Sequence, residues 1–84
     1  MRTYIFMYLL EEDIARVRDY LGQHVSYWKS LEFDYFKNGP FADKSGGLII
    51  FSSDSLGNAK KIIAQDPLFK GKAVIQYWLK EWVC

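Results

Sequence analysis

FDYFKNGPFADKSGGLIIFS, residues 33–52, places two strand-like runs on either side of a segment of turn-forming residues. FDYFK (33–37) is aromatic and reads as a short strand, and GGLIIFS (46–52) is a compact apolar run that follows two glycines. KNGPFADKSGG between them reads as a hairpin loop, because Pro40 cannot donate to a ladder and the glycines permit a sharp return. What lies on each side of this hairpin decides the topology.

Before it, TYIFMYLL (3–10) is rich in aromatic and branched residues and reads as a first strand. Ile14, Val17, Leu21, Val25 and Trp28 then fall at helical spacing. After the hairpin, Leu56, Ala59, Ile62 and Ile63 repeat the helical period, with Ser55 or Asp54 as N-cap. AVIQYWLKEWV (73–83) reads as a long final strand. The order is β-α-β-β-α-β, an α+β chain with the split βαβ topology of ferredoxin-like domains: a four-stranded antiparallel sheet with two helices on one face. Eighty-four residues without a linker or low-complexity tract predict one domain over 1–84.

Strand faces extend this reading. Tyr4, Phe6 and Tyr8 alternate with Ile5, Met7 and Leu9, so both faces of the first strand are apolar, and Leu48 and Ile50 against Ile49 and Phe51 repeat the pattern. Two helices cover only one face. A symmetric dimer with sheets packed face to face, a dimeric α/β barrel, is the economical solution.

Composition narrows the function classes. Half the residues are hydrophobic and 18% aromatic, as in a folded domain, and 11 basic against 10 acidic residues leave a formal charge of +1. No overall field favours nucleic acid or an anionic membrane. The apolar run Tyr4 to Leu10 is too short to span a bilayer and lacks a cleavage-site pattern. Cys84 alone cannot form an intrachain disulfide, which fits a reducing, cytoplasmic setting. One histidine, one distant cysteine and scattered acids give no metal-ligand cluster, and GPFADKSGG has neither P-loop nor dinucleotide spacing, so neither metal nor cofactor is expected.

Two residues stand out. His24 is the only histidine and the only side chain suited to proton transfer near neutral pH. It sits at the edge of the stripe of Val17, Leu21 and Trp28, a place that fits a general base and equally a packed core histidine. Gly22 either breaks the helix or is tolerated within it. Asp66 precedes Pro67, which disfavours helical geometry at the preceding residue, so Asp66 lies where the second helix ends. A carboxylate is unfavourable at a helix C-terminus, so something other than that helix selects it. The topology brings the start of helix one, the hairpin loop and the end of helix two to one edge of the sheet, where Asp66 could orient an imidazole.

With these residues placed, the chain resembles the YCII-related family of small dimeric α/β-barrel proteins. The likeness rests on GQHVSYWKSL around His24, on NGPF followed by a short loop and SGGLIIF, and on DSLGNAKKIIAQDPLFKGKAVIQYWLKEW around Asp66. The chain departs from the family in having Leu21 and Gly22 where relatives often carry an arginine. The resemblance implies that His24 and Asp66 form a catalytic pair. It also implies that the Gly39-Pro40 turn lies beside the cleft, which makes Gly39, Pro40, Phe41 and Trp28 candidates to bind substrate. The expected function is a cofactor-independent isomerase or lyase acting on a small cyclic or unsaturated acid, with a non-catalytic small-molecule-binding or regulatory domain as the alternative. RNA binding ranks below both, because KSGGLIIF offers aliphatics at most of the stacking positions.

Overall fold

The computed structural model describes residues 1–83; Cys84 lies outside them. The elements run β1 (Arg2–Leu10), α1 (Ile14–Ser30), β2 (Phe36–Pro40), β3 (Gly46–Ser53), α2 (Leu56–Ala64), α3 (Pro67–Lys70) and β4 (Val74–Glu81). The strands form one antiparallel sheet in the order β2-β3-β1-β4, which is the ferredoxin-like arrangement.

The register sorts the side chains. Tyr4, Phe6 and Tyr8 of β1 and Ile49 and Phe51 of β3 are buried under the helices, against Trp28 of α1, Ala59 and Ile63 of α2 and Leu68 of α3. On the opposite face β1 and β3 set Ile5 against Ile50 and Met7 against Leu48, while β4 adds Trp78 opposite Met7. These five side chains are only half-buried.

Helix starts follow capping chemistry. Asp13 accepts from Arg16 N at the start of α1, and Ser55 accepts from Asn58 N at the start of α2, so Ser55 rather than Asp54 is that cap. α1 runs unbroken through Gly22, where an added Cβ would meet nothing within 4 Å. The break considered at Gly22 does not occur, and His24 sits well inside the helix.

The hairpin departs from its sequence reading in two ways. β2 begins at Phe36 rather than Phe33 and continues through Gly39 and Pro40, which pair with Leu48 and Gly47. Gly39-Pro40 is therefore strand and not turn. Proline is accommodated because β2 is an edge strand, where a missing donor leaves no inner ladder broken. The turn itself is made further on, where Asp43 Oδ1 accepts from both the N–H and the hydroxyl of Ser45 and Lys44 takes a positive φ of 63°. Ser45 also holds the Asp43 carboxyl below its usual range, its side chain contributing more than its backbone N–H. Gly46 and Gly47 are needed for close approach and not for a positive φ: a Cβ on Gly46 would run into the Tyr8 carbonyl. The final strand is shorter than 73–83, ending at Glu81.

The four-residue α3 is absent from the sequence reading. Gln65 closes α2, and Asp66, at φ −62° and ψ 126°, starts α3 with Pro67 in its first turn. Asp66 thus lies at a helix N-terminus, where a carboxylate is favoured, and not at the unfavourable C-terminal position expected from the sequence.

Candidate active site

Three contacts fix α1 against α2 and the segment that follows it. Arg16 donates through Nη2 to the Gly71 carbonyl at 2.8 Å, and the Tyr27 hydroxyl donates to the Ile62 carbonyl at 2.5 Å. The Tyr20 ring lies where a Cβ on Gly71 would stand, so only glycine allows the chain to pass this close to α1. With α1 and α3 held together, His24 and Asp66, 42 positions apart, come into contact.

His24 Nδ1 is 2.7 Å from Asp66 Oδ2. Trp28 Nε1 donates to the same oxygen at 2.7 Å, while Oδ1 accepts from Leu68 N at 2.9 Å as the cap of α3. Both carboxylate oxygens therefore accept, and an ionised carboxylate can only accept, so Nδ1 carries the proton in its bond to Asp66. His24 is 4% exposed and Asp66 1%. A buried charge is tolerated when it is paired and hydrogen-bonded, and the three donors around Asp66 supply that. Nδ1–H donation leaves Nε2 with the free lone pair, the arrangement a base needs.

Nε2 faces the Tyr8 hydroxyl at 3.4 Å, with the two rings edge to face. Burial, and then the Asp66 charge, push the Tyr8 phenol up to about 12, so it is a neutral hydroxyl throughout the physiological range. Tyr27 moves in the same direction for the same two reasons, burial first.

The candidate substrate residues fall in different places. Trp28 is 2% exposed and reaches the site through its indole N–H to Asp66, with its ring packed against Phe6, Phe33, Phe36 and Phe51. Pro40 pairs with Gly47, which pairs with Tyr8, so Pro40 lies on the cross-strand row of Tyr8, two strands away. Gly39 is one residue earlier, opposite Leu48, and Phe41 N donates to Gly46 O beyond the end of β2. Two surface concavities, of about 350 and 300 Å3, include none of these residues and neither His24, Tyr8 nor Asp66.

Tyr8 is the site residue that sequence reasoning missed. The available signal was a phenol on the helix-facing side of β1, since a buried tyrosine hydroxyl requires a partner. Among the described residues no group of three or more His, Cys, Asp and Glu could hold a metal ion, and no helix is long and apolar enough to cross a membrane.

No family model matches the chain, and no curated protein matches it. Among solved structures, the chain is similar to 5-chloro-2-hydroxyhydroquinone dehydrochlorinase (TftG) from Burkholderia phenoliruptrix AC1100, determined in complex with 2,5-dihydroxybenzoquinone. The TM-score is 0.79, with 96% of this chain and 93% of that one covered at 18% identity. The likeness establishes the shared fold: a ferredoxin-like α+β chain, here with a buried Tyr8–His24–Asp66 line under its helices. By its name, that neighbour is an enzyme acting on a small cyclic compound.

Proposed function

We propose that the chain is a cofactor-independent enzyme in which His24 transfers a proton on a small cyclic or unsaturated organic acid. The observation that carries this reading is the 2.7 Å contact between His24 Nδ1 and Asp66 Oδ2 inside the protein. Asp66 fixes the tautomer and stabilises the imidazolium that forms. In the step itself a substrate C–H bond breaks, its proton goes to Nε2, and the electron pair moves into an enolate or an adjacent double bond. The proton then returns to a different carbon, an isomerisation, or a leaving group departs with its electron pair, an elimination. Both reactions need little beyond a placed base and a pocket that orients the substrate.

On this reading the chain is a single YCII-related domain over residues 1–84, working in the cytoplasm. Substrate approaches from the exposed β2 edge, past Gly39, Pro40 and Phe41. The chain pairs with a second copy through the half-buried face carrying Ile5, Met7, Leu48, Ile50 and Trp78, which no helix covers. The neighbour's name supplies a first probe, 5-chloro-2-hydroxyhydroquinone. Chloride release by the wild type that is lost in His24→Gln supports the proposal, and release unchanged in His24→Gln contradicts it. The Tyr8 hydroxyl over Nε2 favours a second reading, a non-catalytic small-molecule-binding or regulatory domain in which the same pair serves stability alone.

A further inference from the structure

Tyr8 occupies the side of the imidazole that Asp66 leaves open. It is 6% exposed, and its hydroxyl has one hydrogen-bonding partner among the described residues, His24 Nε2 at 3.4 Å. The direction of this bond follows from the other side of the ring. With Nδ1–H donated to Asp66, Nε2 of a neutral imidazole is an acceptor, so the phenol is the donor.

The backbone is shaped around this phenol. Gly47 lies opposite Tyr8 in the β1–β3 ladder, and a Cβ there would stand 2.5 Å from the Tyr8 hydroxyl and 2.9 Å from Cζ. Gly39 O lies 3.0 Å from that same point, so a side chain at residue 47 could be seated only by displacing the end of the Tyr8 ring. The missing side chain at residue 47 is thus the seat of the ring. This accounts for the second glycine of the SGG run, which the hairpin turn does not require.

We propose that Tyr8 is a positioning residue for His24. Its hydroxyl donates to Nε2, holds the imidazole in the Nδ1–H tautomer from the side opposite Asp66, and caps the lone pair until a substrate takes its place. Gly47 is the position that admits it. The imidazole is thereby gripped at both nitrogens, by a carboxylate that takes a proton bond and by a phenol that gives one. The step that displaces the phenol rests on the proton-transfer reading; the hydrogen bond itself does not.

The test uses the single histidine, labelled with 15N in the intact protein, with no substrate present. In the wild type Nδ1 is expected to be protonated, and Nε2 to be an imine nitrogen shifted by an accepted hydrogen bond. In Tyr8→Phe, which keeps the packed ring, Nδ1 is expected to stay protonated while the Nε2 resonance moves to the position of an unbonded imine. Gly47→Ala, which pushes the hydroxyl aside without removing it, is expected to move Nε2 the same way. A protonated Nε2 in the wild type overturns the proposal whether or not either variant folds, and so does an Nε2 resonance unmoved in a folded Tyr8→Phe. An Nε2 resonance unmoved in Tyr8→Phe leaves the proton-transfer reading standing, a protonated Nε2 counts against both, and a silent enzyme assay leaves the Tyr8 hydrogen bond standing.

Discussion

Asp66 Oδ2 accepts from His24 Nδ1 and from Trp28 Nε1, each at 2.7 Å, while the other oxygen of the same carboxylate caps α3 through Leu68 N. One side chain thus serves a helix start and the orientation of an imidazole. Asp66→Ala leaves three buried donors without a partner, and breaking a buried pair in this way costs about 3–5 kcal/mol. Against a usual total of about 5–15 kcal/mol, that loss should appear as a large drop in the urea midpoint. Asp66→Asn keeps an acceptor for Leu68 and should cost less, about 1–3 kcal/mol, while still removing the charge that stabilises an imidazolium. Equal midpoints for wild type and Asp66→Ala would contradict the three-donor description.

Tyr8 makes stability depend on alkaline pH, and the sign follows from its phenol being raised from 10.0 to about 12. Between these values the native phenol keeps its proton while the unfolded one loses it. The folded state therefore binds the extra proton, and stability falls as pH rises from the unfolded value through the folded one. A shift of this size corresponds to a loss on the order of 2–3 kcal/mol by the upper end of the window. Tyr8→Phe should flatten the urea midpoint between pH 10 and pH 12 relative to the wild type. An identical decline in both proteins would show that Tyr8 does not titrate abnormally.

Two glycines should respond in opposite directions to alanine. Gly22 lies in α1 with open space where a Cβ would go, so Gly22→Ala should raise stability by about 0.5–1 kcal/mol. Gly46 lies against the Tyr8 carbonyl, so Gly46→Ala must push β3 off β1 and should leave little folded protein. Thermal melts of the two variants check both signs.

The proposed dimer rests on the face bearing Met7 and Leu48. These residues pair at the centre of the sheet, on the side opposite the helices. Light scattering at micromolar concentration should give twice the 9.9 kDa mass of the chain, and Leu48→Glu should give the chain mass alone. A monomeric wild type would remove the face-to-face dimer.

The alternation of Tyr4, Phe6 and Tyr8 with Ile5, Met7 and Leu9 made β1 and its two faces legible in the sequence, whereas the helical spacing of Ile14, Val17, Leu21, Val25 and Trp28 marked α1 but not its buried face: Ile14, Leu21 and Val25 are exposed, and His24 and Trp28 are buried. The pairing of His24 with Asp66 was implied by the resemblance, whereas the topology brought only the start of α1 to the edge of Asp66, and His24 lies well inside that helix. α3 is only four residues long, below any helical period, so nothing marked Asp66 as a cap rather than the end of α2. The extension of β2 through Pro40 was hidden because proline and glycine signal turns locally, while edge position, a property of the whole sheet, makes them acceptable. Tyr8 was hidden by its alternation, which marks a core residue whether or not its hydroxyl has work to do.

The role of the His24–Asp66 pair is tested most directly by proton exchange at carbon. Small cyclic and unsaturated hydroxy acids, incubated with the protein in D2O, can be followed by 1H NMR for deuterium uptake or elimination. For at least one compound we expect wild-type conversion that falls more than about 100-fold in His24→Gln and in Asp66→Asn, the scale of a lost general base. Conversion equal in wild type and His24→Gln, or compounds bound without any exchange, would contradict proton transfer by this pair.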